Sequence, residues 1–70
     1  MKGSEFLRKL KALASRTGKS YTWVAQRGSG SHGTAYIGNA YTVVKDRKKD
    51  IGPGLLAAMC SQLGIRKEDL

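Results

Sequence analysis

Helical periodicity in this chain is confined to its two ends, and the stretch between them reads as strand. Near the start, Phe6, Leu7, Leu10, Leu13 and Ala14 recur at the spacing that gathers side chains on one face of an α-helix, with Arg8, Lys9, Lys11 and Arg16 on the other. Ser4 is a fair N-cap, Glu5 suits the positive end of the helix dipole, and Gly18 is placed to end the helix in a left-handed conformation. These signals predict a helix from about Glu5 to Thr17. Towards the other end, Gly52-Pro53-Gly54 opens a second helix with Leu55, Leu56, Met59, Cys60 and Leu63 on one stripe, ended by Gly64. Between them lie strand formers: Tyr21 to Val24 in the stretch reaching Arg27, then Thr34 to Ile37, then Tyr41 to Val44. Gly38-Asn39 separates the last two runs by the two residues of a tight hairpin. The predicted order is αβββα, an α+β fold with two helices on one face of a three-stranded antiparallel sheet.

A chain of 70 residues makes a single domain, residues 1–70, without repeats or an interdomain linker. A chain this short buries only about 60% of the surface its unfolded form exposes, which leaves little room for a deep pocket. Thirteen Lys and Arg against five Asp and Glu give a net charge of +8, favouring a polyanionic partner over a small acidic ligand enclosed by the protein. No apolar run approaches the ~18 residues of a membrane span, and the start leads into an amphipathic pattern instead of a signal-peptide core. The expected location is the cytosol. A lone cysteine, Cys60, has no disulfide or CxxC companion, so disulfide-scaffold and zinc-finger readings fail, and a buried reduced thiol is expected.

The only histidine, His32, sits in Arg27-Gly28-Ser29-Gly30-Ser31-His32-Gly33. Imidazole can both give and take a proton near neutral pH, and the small residues around it would leave the ring open to a large polymer. Two motif matches fail on context. The run satisfies GxGxxG, but a dinucleotide loop opens a helix inside a βαβ unit, and here a strand follows. Gly30-Ser31-His32-Gly33 matches the GxxG of a KH domain, but that loop lies between helices. What remains is a turn rich in N–H groups and hydroxyls that can cradle a phosphate, or a plain glycine hairpin with a solvated histidine.

Three ordered stretches, Lys2 to Leu7, Arg27 to Gly33 with its Gly-Ser-His element, and Gly54-Leu55 through Gln62-Leu63-Gly64-Ile65, make the whole chain resemble the HicA-type toxins, mRNA interferases of type II toxin–antitoxin systems. The resemblance implies a double-stranded-RNA-binding-like fold, cleavage of mRNA, and a HicB-type antitoxin that holds the toxin inactive. It also implies that Gly30, Ser31 and His32 are the family's motif, with His32 its catalytic histidine. Gly33 departs from the larger residue that many relatives carry after the histidine, which would loosen the loop.

With no carboxylate cluster or Cys/His ligand set in the sequence, a metal-independent, cofactor-free mechanism is expected, in which RNA supplies its own nucleophile. His32 would act as general base on a 2′-hydroxyl or general acid on the leaving 5′-oxygen, while cations stabilise the phosphate. Candidate phosphate contacts are Arg27, Lys45, Arg47, Lys48 and Lys49, expected along one surface; the basic face of the first helix reads as solvated. Tyr21, Trp23, Tyr36 and Tyr41 are candidates for stacking on bases, with Trp23 favouring the core edge. Two other functions fit the same composition: a non-catalytic RNA-binding module in which His32 is incidental, and a protein whose basic surface only docks an acidic partner.

Overall fold

The computed structural model describes residues 1–28 and 31–70. Helix α1 spans Gly3–Arg16, β1 Tyr21–Ala25, β2 Gly33–Ile37, β3 Ala40–Val44 and α2 Pro53–Leu63, followed by a 3₁₀ turn at Lys67–Asp69 that the sequence pattern did not announce. The strands form an antiparallel sheet in the order β1-β2-β3. Both helices cover one face of it, so the αβββα layout is as predicted. Phe6, Leu7, Leu10 and Ala14 of α1 and Leu56, Met59, Cys60 and Leu63 of α2 close over Ala35, Ile37 and Val44. Alternation does the sorting: residues 33, 35, 37, 42 and 44 are buried under the helices, whereas Thr22, Val24, Tyr41 and Val43 on the opposite face are exposed. Among the described residues one polar side chain is fully enclosed, Thr42, and its hydroxyl donates to Gln62 Oε1 at 2.6 Å, tying β3 to α2.

Helix α1 starts two residues earlier than the capping pattern suggests. Lys2 holds the N-cap position, and Ser4 lies inside the first turn, where its hydroxyl caps nothing. The free N–H groups are satisfied from a distance: Gly3 N–H donates to the Lys49 carbonyl at 3.0 Å and Ser4 N–H to the Arg47 carbonyl at 2.9 Å. A local cap is unnecessary where a neighbouring loop brings carbonyls to the helix end. Both helices close with a left-handed glycine, as expected. At Gly18 (φ +70°) the next N–H, of Lys19, returns to the Ala14 carbonyl, and at Gly64 (φ +70°) that of Ile65 returns to Cys60, the Schellman arrangement in both cases.

The β2–β3 hairpin turns at Gly38-Asn39, with Ile37 opposite Ala40. Gly38 has φ +56° and Asn39 does not, the pattern of a II′ turn. Strand β1 ends at Ala25, two residues short of Arg27. Leu55 leaves the stripe assigned to it. It is 54% exposed because the buried arc of α2 is the narrow one through Leu56, Met59, Cys60 and Leu63, which turns Leu55 outward beyond the sheet edge.

Gly33 is a packing requirement and not a loosened loop. It is the buried first residue of β2, and a Cβ there would lie 2.5 Å from the Val24 carbonyl oxygen and 2.7 Å from the Trp23 ring. The indole of Trp23 passes across β2 at the one position with no side chain. We expect Gly33→Ala to cost about 1–3 kcal/mol in urea unfolding, because the backbone oxygen cannot move aside. Gly54→Ala, in α2 with nothing within 4 Å of its Cβ position, should instead gain about 0.5–1 kcal/mol by improving helix propensity.

Burial pushes the Cys60 thiol above its usual 9.0, with Lys67 lowering it and Glu68 and Asp69 raising it less than burial does. The folded state therefore holds this proton more tightly than the unfolded chain. That contribution is complete below the unfolded value and is lost as pH rises through the folded one. Stability measured by denaturation should fall on the alkaline side of pH 9, and Cys60→Ala should flatten that fall.

Candidate nucleic-acid interface and histidine loop

The glycine-rich connection between β1 and β2 is held at its base by main-chain bonds on two sides. Gln26 N–H donates to the His32 carbonyl at 2.6 Å, extending the β1–β2 ladder by one pair, and Arg47 N–H donates to the Ser31 carbonyl at 3.1 Å. Ser31 and His32 are thus clamped between the first hairpin and the loop that follows β3, and both are half-buried. A histidine so carried is positioned by its backbone. Gly30 of the predicted motif lies, with Ser29, outside the described residues.

Arg47 ties this region together. Besides its N–H bond to Ser31, its carbonyl accepts from Ser4, and its guanidinium lies 5.6 Å from the centre of the Trp23 ring. Trp23 is half-buried against the core, with its ring meeting Gly33 on the way to Arg47. It is a strut at the core edge. Tyr21, also half-buried, has its hydroxyl pushed above the usual 10.0 by burial, with the Arg47 charge pulling the other way.

Around this joint the chain forms two adjoining depressions. One, of about 340 Å³, is lined by Lys2, Ser4, Ser31, Arg47 and Lys48. The other, of about 320 Å³, shares Ser4 and Arg47 and adds Arg8, Lys11, Tyr21 and Trp23. No carboxylate lines either one. Five cations converge here around two hydroxyls and an aromatic wall, an electrostatic sink for a phosphate chain.

The predicted basic residues do not share one surface. Arg47 and Lys48 border Ser31, whereas Lys45 and Lys49 line a separate depression beside α2 together with Asp46 and Asp50, whose carboxylates oppose an anion. The split follows from chain direction: Lys45 leaves β3 on the open-face parity of Tyr41 and Val43, and the turn that follows, fixed by Asp46 Oδ1 accepting from Lys48 N–H at 2.8 Å, carries Arg47 and Lys48 to the other side. Arg27 is exposed in the turn after β1 and lines none of these depressions.

In their place come Lys2, Ser4, Arg8 and Lys11. Arg8 and Lys11 are exposed, as a solvated helix face requires, and with Ser4 they form a stripe at i, i+4 and i+7 that borders the apolar stripe. That spacing was the available signal. The other two cations of α1 are engaged elsewhere: Lys9 pairs with Glu5 at 3.6 Å, and Arg16 donates to the Asp69 carbonyl at 2.8 Å.

Alternation along the chain puts Ser31 and Gly33 on the helix side of the sheet and His32 on the parity of Thr34 and Tyr36, the open side. On that side Tyr36 and Tyr41 face each other across β2 and β3 with ring centres 5.8 Å apart. The end of the sheet at residues 31–33 is therefore the rim where a cationic cleft and an aromatic open face meet. Among the described residues no group of three His, Cys, Asp or Glu side chains converges, and no helix is long and apolar enough to cross a membrane.

Compared with models of known protein families, with curated proteins and with solved structures, the chain has no match.

Cations that border the cleft should contribute to polyanion affinity, and those that do not should not. For a short single-stranded RNA titrated at several salt concentrations, Lys2→Ala and Lys48→Ala should each lower the slope of log affinity against log salt by about 0.7. Lys45→Ala and Lys49→Ala should leave it unchanged.

Proposed function

We propose that this chain is a HicA-type toxin, a metal-independent endoribonuclease that cleaves mRNA with His32 and is held inactive by a HicB-type antitoxin. The observation that carries this reading is the carboxylate-free cleft of Lys2, Arg47 and Lys48, closed by Ser31, the chain neighbour of the only histidine. The resemblance of the three sequence stretches supports it, and the αβββα layout agrees with the fold that the resemblance implies.

In the proposed reaction a phosphate of single-stranded RNA lies at the rim formed by residues 31–33. The Ser31 side of the rim offers Lys2, Arg47 and Lys48 to the phosphate oxygens, where positive charge stabilises the charge that builds up during transfer. The 2′-oxygen bonds to phosphorus as the bond to the 5′-oxygen breaks, giving a 2′,3′-cyclic phosphate and a free 5′-hydroxyl. His32 carries one of the two proton transfers, taking the 2′-hydroxyl proton or supplying one to the 5′-oxygen, and water carries the other. Bases splayed from the strand can stack on Tyr36 and Tyr41, on the same side of the sheet as His32. With one positioned acid–base group in place of two, turnover is slow, which suffices against abundant message. Acting on mRNA places the protein in the cytosol, and its +8 charge suits an acidic inhibitor that covers the same cations.

The test is cleavage of a single-stranded mRNA in EDTA by the parent and by His32→Ala of matched folding and RNA affinity. The parent should cut, leaving cyclic-phosphate ends, and the variant should be slower by about 10²–10⁴. DNA of the same sequence should bind and remain intact, because it lacks the 2′-hydroxyl. Binding by both proteins with cleavage by neither would replace the nuclease with a non-catalytic RNA-binding module.

A further inference from the structure

The two free edges of the sheet differ in character. The β1 edge runs beside the cationic surface of Arg8 and Lys11. The β3 edge runs beside an apolar groove of about 600 Å³ whose far wall is α2, with Leu55, Met59 and Gln62. We propose that this groove docks an extended segment of a second protein, one with alternating apolar residues and carboxylates at one end, which adds to β3 as a fourth strand. The proposal is independent of the nuclease reading.

The backbone geometry is the first argument. In a hairpin with a two-residue turn, the residues flanking the turn form a hydrogen-bonded pair, and such pairs alternate along the strands. Ile37–Ala40, Ala35–Thr42 and Gly33–Val44 are then the bonded pairs of β2 and β3. The N–H and C=O groups of Tyr41 and Val43 consequently point away from the sheet, into the groove. They form an unfilled ladder of the kind that accepts a further strand. The edge carries none of the usual guards. Its sequence, Ala-Tyr-Thr-Val-Val, has no proline and no charge, and its pairing with β2 is in register without a bulge.

The side chains make the second argument. Tyr41 is 57% exposed and Val43 46%, and with Leu55 they make three of the four large hydrophobic side chains exposed among the described residues. All three border this groove. A strand laid against β3 would place alternate side chains on Leu55 and Met59 on the helix side and beside Tyr41 and Val43 on the open side. Burying such a cluster is what an exposed apolar patch of this kind offers a partner.

Charge selects among the possible occupants. Lys45 stands at the end of the groove and is the one charged residue that lines it, whereas in the neighbouring depression Lys49 is offset by Asp46 and Asp50. A second copy of this chain would bring another +8 and a second Lys45 to the same edge, whereas a segment with carboxylates at the end beside Lys45 is attracted to it.

The probe is a synthetic ten-residue peptide of alternating valine and threonine with two aspartates at one end, titrated into the isotope-labelled full chain and followed by NMR. Its control has the same composition with the valines grouped together. We expect shifts at Tyr41, Val43 and Leu55, slower hydrogen exchange at the Tyr41 and Val43 amides, and no comparable binding by the control. Leu55→Asp should weaken binding by about tenfold or more, and its exposed position keeps the fold intact, verified by an unchanged spectrum elsewhere. Val43→Pro, which removes an outward-pointing N–H, should abolish the exchange protection. Equal binding by the control, shifts confined to the Ser31 cleft, or no binding at millimolar peptide would each overturn the proposal. So would concentration-dependent dimerisation lost in Leu55→Asp, which would assign the groove to a second copy.

Discussion

The backbone of Arg47 is the joint at which three parts of the chain meet. Its N–H holds the Ser31 carbonyl, its carbonyl receives the Ser4 N–H, and its side chain lies against Trp23, which reaches it by crossing β2 at Gly33. The approach is close enough that no side chain fits between helix and loop. A Cβ on Gly3 would lie 2.8 Å from both the Arg47 Cα and the Asp46 oxygen. Without glycine at 3 and 33 the start of α1, the loop after β3 and the histidine loop could not share one corner of the molecule. The ties continue on either side, with Gly3 N–H on the Lys49 carbonyl and Ile51 N–H on that of Met1 at 2.7 Å.

This joint also makes the cleft. Lys2, Arg8, Arg47 and Lys48 come from segments more than 35 residues apart in sequence, and each would be a solvated surface cation if its segment were not pinned. Bringing like charges together costs electrostatic energy. The cost is offset by main-chain bonds that do not depend on charge and by the Trp23 ring beside the Arg47 guanidinium. The outcome is a set of cations held at one corner by main-chain bonds that also fix the Ser31 backbone.

The same division of labour shapes the sheet. Its covered face is filled by short side chains at Gly33, Ala35 and Thr42 that let both helices lie low, and its open face is left to tyrosines and valines. The two edges then take their character from whichever helix flanks them. Beside α1 the edge is cationic, because Ser4, Arg8 and Lys11 share a stripe. Beside α2 it is apolar, because Leu55 turns outward while Leu56 turns in. One small domain thereby presents a cationic edge and an apolar edge on opposite sides of its sheet.

Local rules were enough to read the elements. Stripes at 3.6-residue spacing, glycines at 18 and 64, and Gly38-Asn39 between two strand runs identify the helices, their ends and the hairpin, since each is decided within a few residues of backbone. His32 was legible as the candidate acid–base group because nothing else in the chain offers an imidazole. Three of the features that sequence reading missed are non-local. The N-terminus of α1 begins at Gly3 because carbonyls arrive from residues 47 and 49. Gly33 is small because a tryptophan from β1 crosses it. The 45–49 charges divide because a single turn sends Arg47 and Lys48 to one side of the sheet and leaves Lys45 on the other. Sequence determined which segments are helix and strand and which side chains can carry charge or a proton. Tertiary structure alone decided which of those charges face one another, because that depends on backbone bonds between residues far apart in the chain, and their spacing leaves no periodic trace.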